Sequence, residues 1–280
     1  MHLKSYLCLA PSLVHLDWIT KWLRISIHQF HQTGVSYSAI RKSSRADGAH
    51  LALDFTKIVH HDTYPEIDSA KADLCGKIVC ITGASKGIGR ATALSFAKAG
   101  AEAIVIGARS DLTSLELEIA SAAQVSGKKA PKVLRLELDV TNQVSVENAA
   151  KDIEKTLGRL DILINNAGYL SSFTPMIESD PMQWWTNWEV NIRGVYLVTR
   201  SLLPLMIKGG EKTIINLASI GALNLTPGAS GYQPSKNALL RFTEFICADY
   251  AKDGILAYSI HPGGVITDMG LKMPAAIHKS

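Results

Sequence analysis

Lys77-Ile78-Val79-Cys80-Ile81-Thr82-Gly83-Ala84-Ser85-Lys86-Gly87-Ile88-Gly89 is an apolar, β-branched run that stops at a glycine, with further glycines four and six places on. Arg90 to Lys98 then continues with good helix formers. A buried strand that turns sharply into a helix leaves the first helical N–H groups without partners, and such a helix start attracts an anion. Gly83 permits the tight turn, Gly87 lets a pyrophosphate approach the backbone, and Gly89 lets helix and strand pack closely. The spacing is neither Gly-x-Gly-x-x-Gly nor the P-loop, which needs Gly-Lys-Ser/Thr after four intervening residues. The stretch predicts a dinucleotide site. A glycine turn without a ligand is the plain alternative, and downstream residues must decide between them.

With 280 residues, 47% of them hydrophobic, the chain can bury one substantial core. A net charge of +4 is too mild to point to nucleic acid, and no basic run of phosphate-gripping density occurs. Cys8, Cys75, Cys80 and Cys247 form no CxxC pair, which predicts reduced thiols and a cytoplasmic setting rather than a disulfide framework.

Residues 1–70 read as an N-terminal extension, partly disordered or helical, ahead of one catalytic domain over 71–280. The longest uncharged run, Ser5 to Val14, is far short of the ~20 residues that span a bilayer. No convincing cleavage site follows it. Leu13 to Ile27 can form an amphipathic helix with Trp18, Trp22 and Ile25 on one side. His28, His31, His60 and His61 lack the acidic or thiol company of a metal site and read as solvated. Val35 to Asp54, with Arg41-Lys42-Ser43-Ser44-Arg45, reads as linker.

From Asp73 the pattern becomes regular. Strands are predicted at Lys77–Thr82, Ala103–Gly107, Val133–Leu138, Leu160–Ile164, Thr213–Ala218 and Ile255–Ile260. Helices fall between them at Gly87–Lys98, Leu112–Val125, Val144–Leu157, Pro181–Met206 and Gly231–Ala251. Asp180 caps the fourth helix, with Pro181 at its first position. Such alternation predicts an α/β fold: a Rossmann-like, doubly wound parallel sheet of six strands with helices on both faces.

About 20 residues beyond the glycine loop, an NAD enzyme places an acid on the ribose 2′-OH. This chain offers Ala108 and Arg109 there, and Lys86 within the loop. Arginine grips a phosphate bidentately, which favours NADP(H); Arg109 as a solvated helix-entry residue is the alternative. Asp139-Val140 ends the third strand at the carboxyl edge where a cofactor must lie. Tyr232 and Lys236, four apart, share one face of a helix. A free phenol has a pKa of about 10; an adjacent ammonium lowers it by ~1–3 units, bringing proton transfer into useful range.

Taken together, the loop Thr82–Gly89, Asn165-Asn166-Ala167-Gly168, Asn191-Ile192-Arg193-Gly194, Ser219 with Tyr232 and Lys236, and His261–Thr267 resemble the short-chain dehydrogenase/reductase family. The match runs from about Gly76 to Asp268. The family is doubly wound, NAD(P)-dependent and metal-free. The resemblance implies that Tyr232 is the acid/base on the substrate oxygen and that Ser219 hydrogen-bonds that oxygen. Lys236 tunes Tyr232 and grips the nicotinamide ribose, while Asn191 supports a water relay. It sets the cofactor against Gly83, Ser85, Lys86, Gly87, Ile88, Gly89 and Arg109, and against Asp139, which meets the adenine amino group, and Val140. Asn166, Gly168 and Arg193 join them, with Val265 on the carboxamide and Thr267 on a phosphate; His261 is a strand-end residue.

The expected function is an NADP(H)-dependent oxidoreductase interconverting a carbonyl and a secondary alcohol on a hydrophobic small molecule, such as an intermediate of secondary metabolism. By family geometry, Leu170, Phe173, Met176, Ala222, Leu223 and Leu225 line an apolar pocket that Trp184 or Trp185 approaches. Dimers or tetramers are common in the family. Its members continue beyond the point that corresponds to Ser280, into a substrate-covering helix and a last strand. The alternative expectation is therefore a truncated, weakly catalytic member that binds cofactor or a partner through an open sheet edge.

Overall fold

Residues 64–273 are described by the computed structural model; the predicted amphipathic helix, the four histidines and Cys8 lie outside them. Six strands form one sheet: β1 (Ile78–Thr82), β2 (Ala103–Ala108), β3 (Lys132–Glu137), β4 (Ile162–Asn165), β5 (Thr213–Leu217) and β6 (Leu256–Ile260). All pairings are parallel, in the order β3-β2-β1-β4-β5-β6. The order reverses between β1 and β4, and in such sheets ligands bind outside the carboxyl ends of the strands at that point.

The strands look as they do because helices cover both faces. Every residue of β1, β2, β4 and β5 is buried, so these runs are mostly apolar rather than alternating, with Asn165 and Asn216 among the polar exceptions. Alternation survives in where the side chains go. Val79 and Ile81 join Ile104 and Ile106 against α1 (Gly87–Lys98) and α2 (Thr113–Val125). Ile78 and Cys80 point the other way with Val105 and Leu163, against α3 (Gln143–Leu157) and the later helices. Burial in that layer pushes the Cys80 thiol up to about 12, which leaves it inert.

The fourth predicted helix differs in one respect. It begins as expected at α4 (Pro181–Trp188), where the Asp180 carboxylate accepts from the Met182 N–H. Over Glu189–Gly194 the backbone then widens into a π-helical segment before resuming as α5 (Val195–Ile207). One extra residue in a turn leaves the chain helical but re-aims the side chains, and such bulges gather at functional sites. The last helix, α6 (Tyr232–Tyr250), carries Tyr232 in its first turn.

Among the described residues β6 pairs only with β5 and forms one edge of the sheet, and no helix is long and apolar enough to cross a membrane.

Candidate active site

At the end of β1 the chain bends so tightly that two of its glycines have no substitute. Gly83 has φ +65°, and a Cβ there would lie 2.9 Å from the Ala167 Cα. On Gly89 it would lie 2.4 Å from the Gly83 carbonyl oxygen. The turn after β4 braces this loop from the side. Thr82 Oγ1 accepts from the Asn166 and Ala167 N–H groups, and Asn166 Nδ2 donates to the Thr82 and Gly83 carbonyls. Asn166 is therefore a brace for the loop. The helix start itself is bare: Lys86 precedes α1 in extended conformation with no side-chain cap. Backbone N–H groups at the positive end of the helix thus face the crevice, a donor set that suits a pyrophosphate.

Lys86 does not project alone. Its ammonium lies 2.8 Å from the Asp268 carboxylate, on the segment after β6. Ser85 turns its carbonyl to Arg90, and Ile88 packs its side chain on the α1–α2 core. Arg109 stands exposed at the end of β2, and among the described residues it makes no ion pair or hydrogen bond. Asp139 accepts from both the N–H and the hydroxyl of Thr141, closing its own turn. Val140 is buried against Gly194, and Arg193 donates to the Thr141 carbonyl at 2.7 Å. Gly168 lies beside Asn191, within 3.7 Å of where the Met269 methyl ends, measured from a built Cβ. Val265 is exposed, and Thr267 approaches Gly87.

The structure brings Ser219, Tyr232 and Lys236 together beyond the carboxyl end of β5. Ser219 Oγ accepts from the Gly221 N–H at 3.0 Å and lies near enough to Tyr232 to act on its phenol. Lys236 is 5% exposed; its ammonium sits 5.9 Å from the centre of the Tyr232 ring and donates to the Leu217 carbonyl at 2.6 Å. Burial draws Lys236 down to about 8. The predicted lowering of Tyr232 is not what the structure shows. Burial pushes the phenol up, and Ser219 opposes this only in part. The Lys236 ammonium, 5.9 Å from the ring centre and directed at the Leu217 carbonyl, does not reverse the desolvation of the phenolate.

Asn191 is held firmly by its side chain. Its Oδ1 accepts from the Tyr169 N–H, and its Nδ2 donates to the Tyr169 carbonyl and to Ser235 Oγ. With the side chain so committed, only the backbone of the π-helical segment is left to face a relay. The residues expected to line an apolar pocket fall into two groups. Leu170 and Ala222 are buried in packing, whereas Met176 and Leu225 are 75% and 86% exposed. The hollow beside Gly231 is lined mainly by polar groups, among them Ser171, Thr174, Ser179, Gln183 and Ser230, with Trp184 at its wall; Trp185 is half exposed.

Sequence reasoning missed the polar layer under this site. Asn165 Nδ2 donates to Thr199 Oγ1 and Asn216 Oδ1, Asn216 Nδ2 donates to Thr243 Oγ1, and the Thr243 and Ser259 hydroxyls bond each other. The one available signal was an asparagine late in both β4 and β5, which the register sets side by side. Ser235, between Tyr232 and Lys236, was missed as well.

The comparisons agree with this geometry. The family model described as short chain dehydrogenase matches residues 77–277. The short chain dehydrogenase mpl6 of Monascus purpureus is 52% identical over 215 residues, spanning 77% of this chain and 74% of that protein. The short chain dehydrogenase pigC of Monascus ruber is 47% identical over 216 residues, 77% of this chain and 71% of its own. Among solved structures, an alcohol dehydrogenase from Thermococcus sibiricus complexed with 5-hydroxy-NADP superposes with a TM-score of 0.62 at 29% identity. It covers 71% of this chain and 81% of its own. A doubly wound sheet, a glycine loop at its switch point and a serine–tyrosine–lysine cluster thus coincide with a match across most of the described residues, and the chain belongs to the short-chain dehydrogenase/reductase family of nicotinamide-dependent oxidoreductases.

Proposed function

We propose that this protein is an NADP(H)-dependent oxidoreductase that interconverts a carbonyl and a secondary alcohol on a hydrophobic small molecule. The observation that carries the reading is the convergence of Ser219, Tyr232 and the buried Lys236 ammonium, 5.9 Å from the centre of the Tyr232 ring, at the same sheet edge as the glycine loop. When bound, the nicotinamide supplies or takes the hydride. In reduction, Tyr232 donates its proton to the carbonyl oxygen as that oxygen gains charge, and Ser219 holds the oxygen in place. A raised phenol suits this role, since it stays protonated across the physiological range. Lys236 adds positive charge beside the developing phenolate and would hold the nicotinamide ribose.

Arg109 supports the choice of NADP(H): an exposed guanidinium, with no acid in its place, meets a phosphate dianion better than a ribose hydroxyl. The Thermococcus alcohol dehydrogenase, solved in complex with 5-hydroxy-NADP, is in line with that choice. An apolar substrate is supported by topology. Met176 and Ile177 after β4, Leu223 and Leu225 after β5, and Ile266 and Leu271 after β6 all lie exposed in connections leaving the carboxyl edge. An intermediate of secondary metabolism fits that description. In this reading residues 71–280 act as one catalytic domain.

The test is reduction of a panel of hydrophobic ketones with NADPH and NADH by the full chain. We expect turnover with NADPH, falling by a factor of about 10²–10⁴ in Tyr232→Phe, with cofactor still bound. A Tyr232→Phe protein that keeps its rate removes the assignment.

A further inference from the structure

The segment after β6 folds back across the glycine loop. Thr267 places its Cγ2 3.2 Å from where a Cβ on Gly87 would sit, and its own Oγ1 accepts from the Gly270 N–H at 3.0 Å. That short turn, continued by the Leu271 N–H to Thr267 carbonyl bond, presents Asp268 outward. The Asp268 carboxylate meets Lys86 at 2.8 Å, and Lys272 lies near enough to act on the same carboxylate. One residue further, Met269 comes up against Gly168. Three successive residues thus touch the glycine loop and the turn after β4.

Lys86 is the only lysine or arginine between Lys77 and Arg90, so it is the cation that the loop itself offers to an anion. In the free protein that cation faces a carboxylate. We propose that Asp268 is a specificity-determining residue: it competes with ligand phosphate for Lys86 and so sets how strongly the protein prefers a more highly phosphorylated nicotinamide dinucleotide. The proposal rests on the glycine loop being the dinucleotide site.

The physical size of the effect is bounded. Both side chains are about seven-tenths exposed, 72% and 71%, and exposed ion pairs are weak and screened by salt. Removing the carboxylate therefore tunes affinity by a few-fold and does not create or abolish binding. It acts in two ways: Lys86 no longer has to leave a partner, and the incoming phosphates no longer meet a negative neighbour. Only the first depends on Lys86. That difference makes the idea separable from simple repulsion, and Asp268→Asn is nearly isosteric at an exposed position, so the fold is preserved.

The experiment is calorimetric titration of NADPH and NADH into the full chain at low ionic strength. Four proteins are compared: wild type, Asp268→Asn, Lys86→Ala and the double variant. Asp268→Asn is expected to tighten NADPH two- to fivefold and NADH less. In the Lys86→Ala background the same change should give a clearly smaller gain. An Asp268→Asn protein with unchanged or weaker NADPH affinity overturns the proposal, and so does an equal gain with and without Lys86. If none of the four proteins binds either dinucleotide, the cofactor reading of the loop fails and the proposal falls with it.

Discussion

At Lys236 the protein holds a cation where its solvation is poor. A charged amine buried without a carboxylate is costly, and this one has only the Leu217 carbonyl at 2.6 Å to share its proton with. Its titration near 8, against about 10.4 in an unfolded chain, means that between those values the unfolded state binds more protons. Stability then rises with pH in that interval, since its slope follows the protons released on folding. Tyr232 acts in the opposite sense above its ordinary pKa of about 10, because the folded phenol stays protonated while the unfolded one ionises. The clean window is therefore about pH 8 to 10. Lys236→Met removes the charge and keeps the bulk. Below pH 8 the variant should be at least as stable as the wild type while losing turnover. Between pH 8 and 10 the wild type should gain on it, as followed by thermal unfolding of both proteins. A gap that stays constant across that range would mean that Lys236 is not titrating there.

Between α4 and α5 the π-helical turn joins the catalytic helix to the rest of the site. Asn191, fully buried within it, clamps Tyr169 through both backbone groups and reaches across to Ser235 Oγ at 3.0 Å. Ser235 in turn donates to the Tyr232 carbonyl at 2.7 Å. The first turn of α6 is thus tied to the π segment through one hydroxyl. Ser235→Ala should lower stability by about 1–3 kcal/mol, the cost of two buried hydrogen bonds with one amide proton left orphaned. It should lower kcat on the order of tenfold by loosening the placement of Tyr232, with dinucleotide affinity near wild type. Affinity lost in step with kcat would place Ser235 in binding instead. The sequence could not show this link. The central strands and the glycine loop were legible, because covered parallel strands are mostly apolar runs and the tight turns admit only glycine. The π turn was not, since one added residue leaves the composition of a long helix unchanged. Nor was the Lys86–Asp268 pair, whose members are 182 residues apart, with nothing local to join them. The direction of the Tyr232 shift was misread because spacing shows a neighbouring charge and hides the depth of burial.

Across the whole molecule, the site lies at one end of the sheet and a buried acid secures the other. Asp161, 1% exposed, just precedes β4. Its Oδ2 accepts from the Ile78 N–H at 2.8 Å, where β1 begins, and its Oδ1 accepts from the Gly210 N–H at 2.7 Å, ahead of β5. Arg159 supplies the countercharge, its Nε 3.5 Å from Oδ2. One carboxylate therefore sets the starting positions of three adjacent central strands. The glycine loop leaves the far end of β1, the Asn165–Gly168 turn follows β4, and Ser219 follows β5, so the relative heights of those strands fix the relative heights of the site's parts. Asp161→Ala strips the partner from the buried Ile78 N–H and from the Gly210 N–H, and takes from Arg159 the nearer of its two carboxylates, leaving Glu102 at 3.8 Å. The expected loss is about 1–3 kcal/mol in urea unfolding, a sizeable share of the total stability of a domain. Asp161→Asn keeps one acceptor oxygen and should lose less. If instead the alanine variant unfolds like wild type, the clamp does not hold the sheet together, and poor dinucleotide binding by that variant would leave only its role in setting the heights of the site's parts.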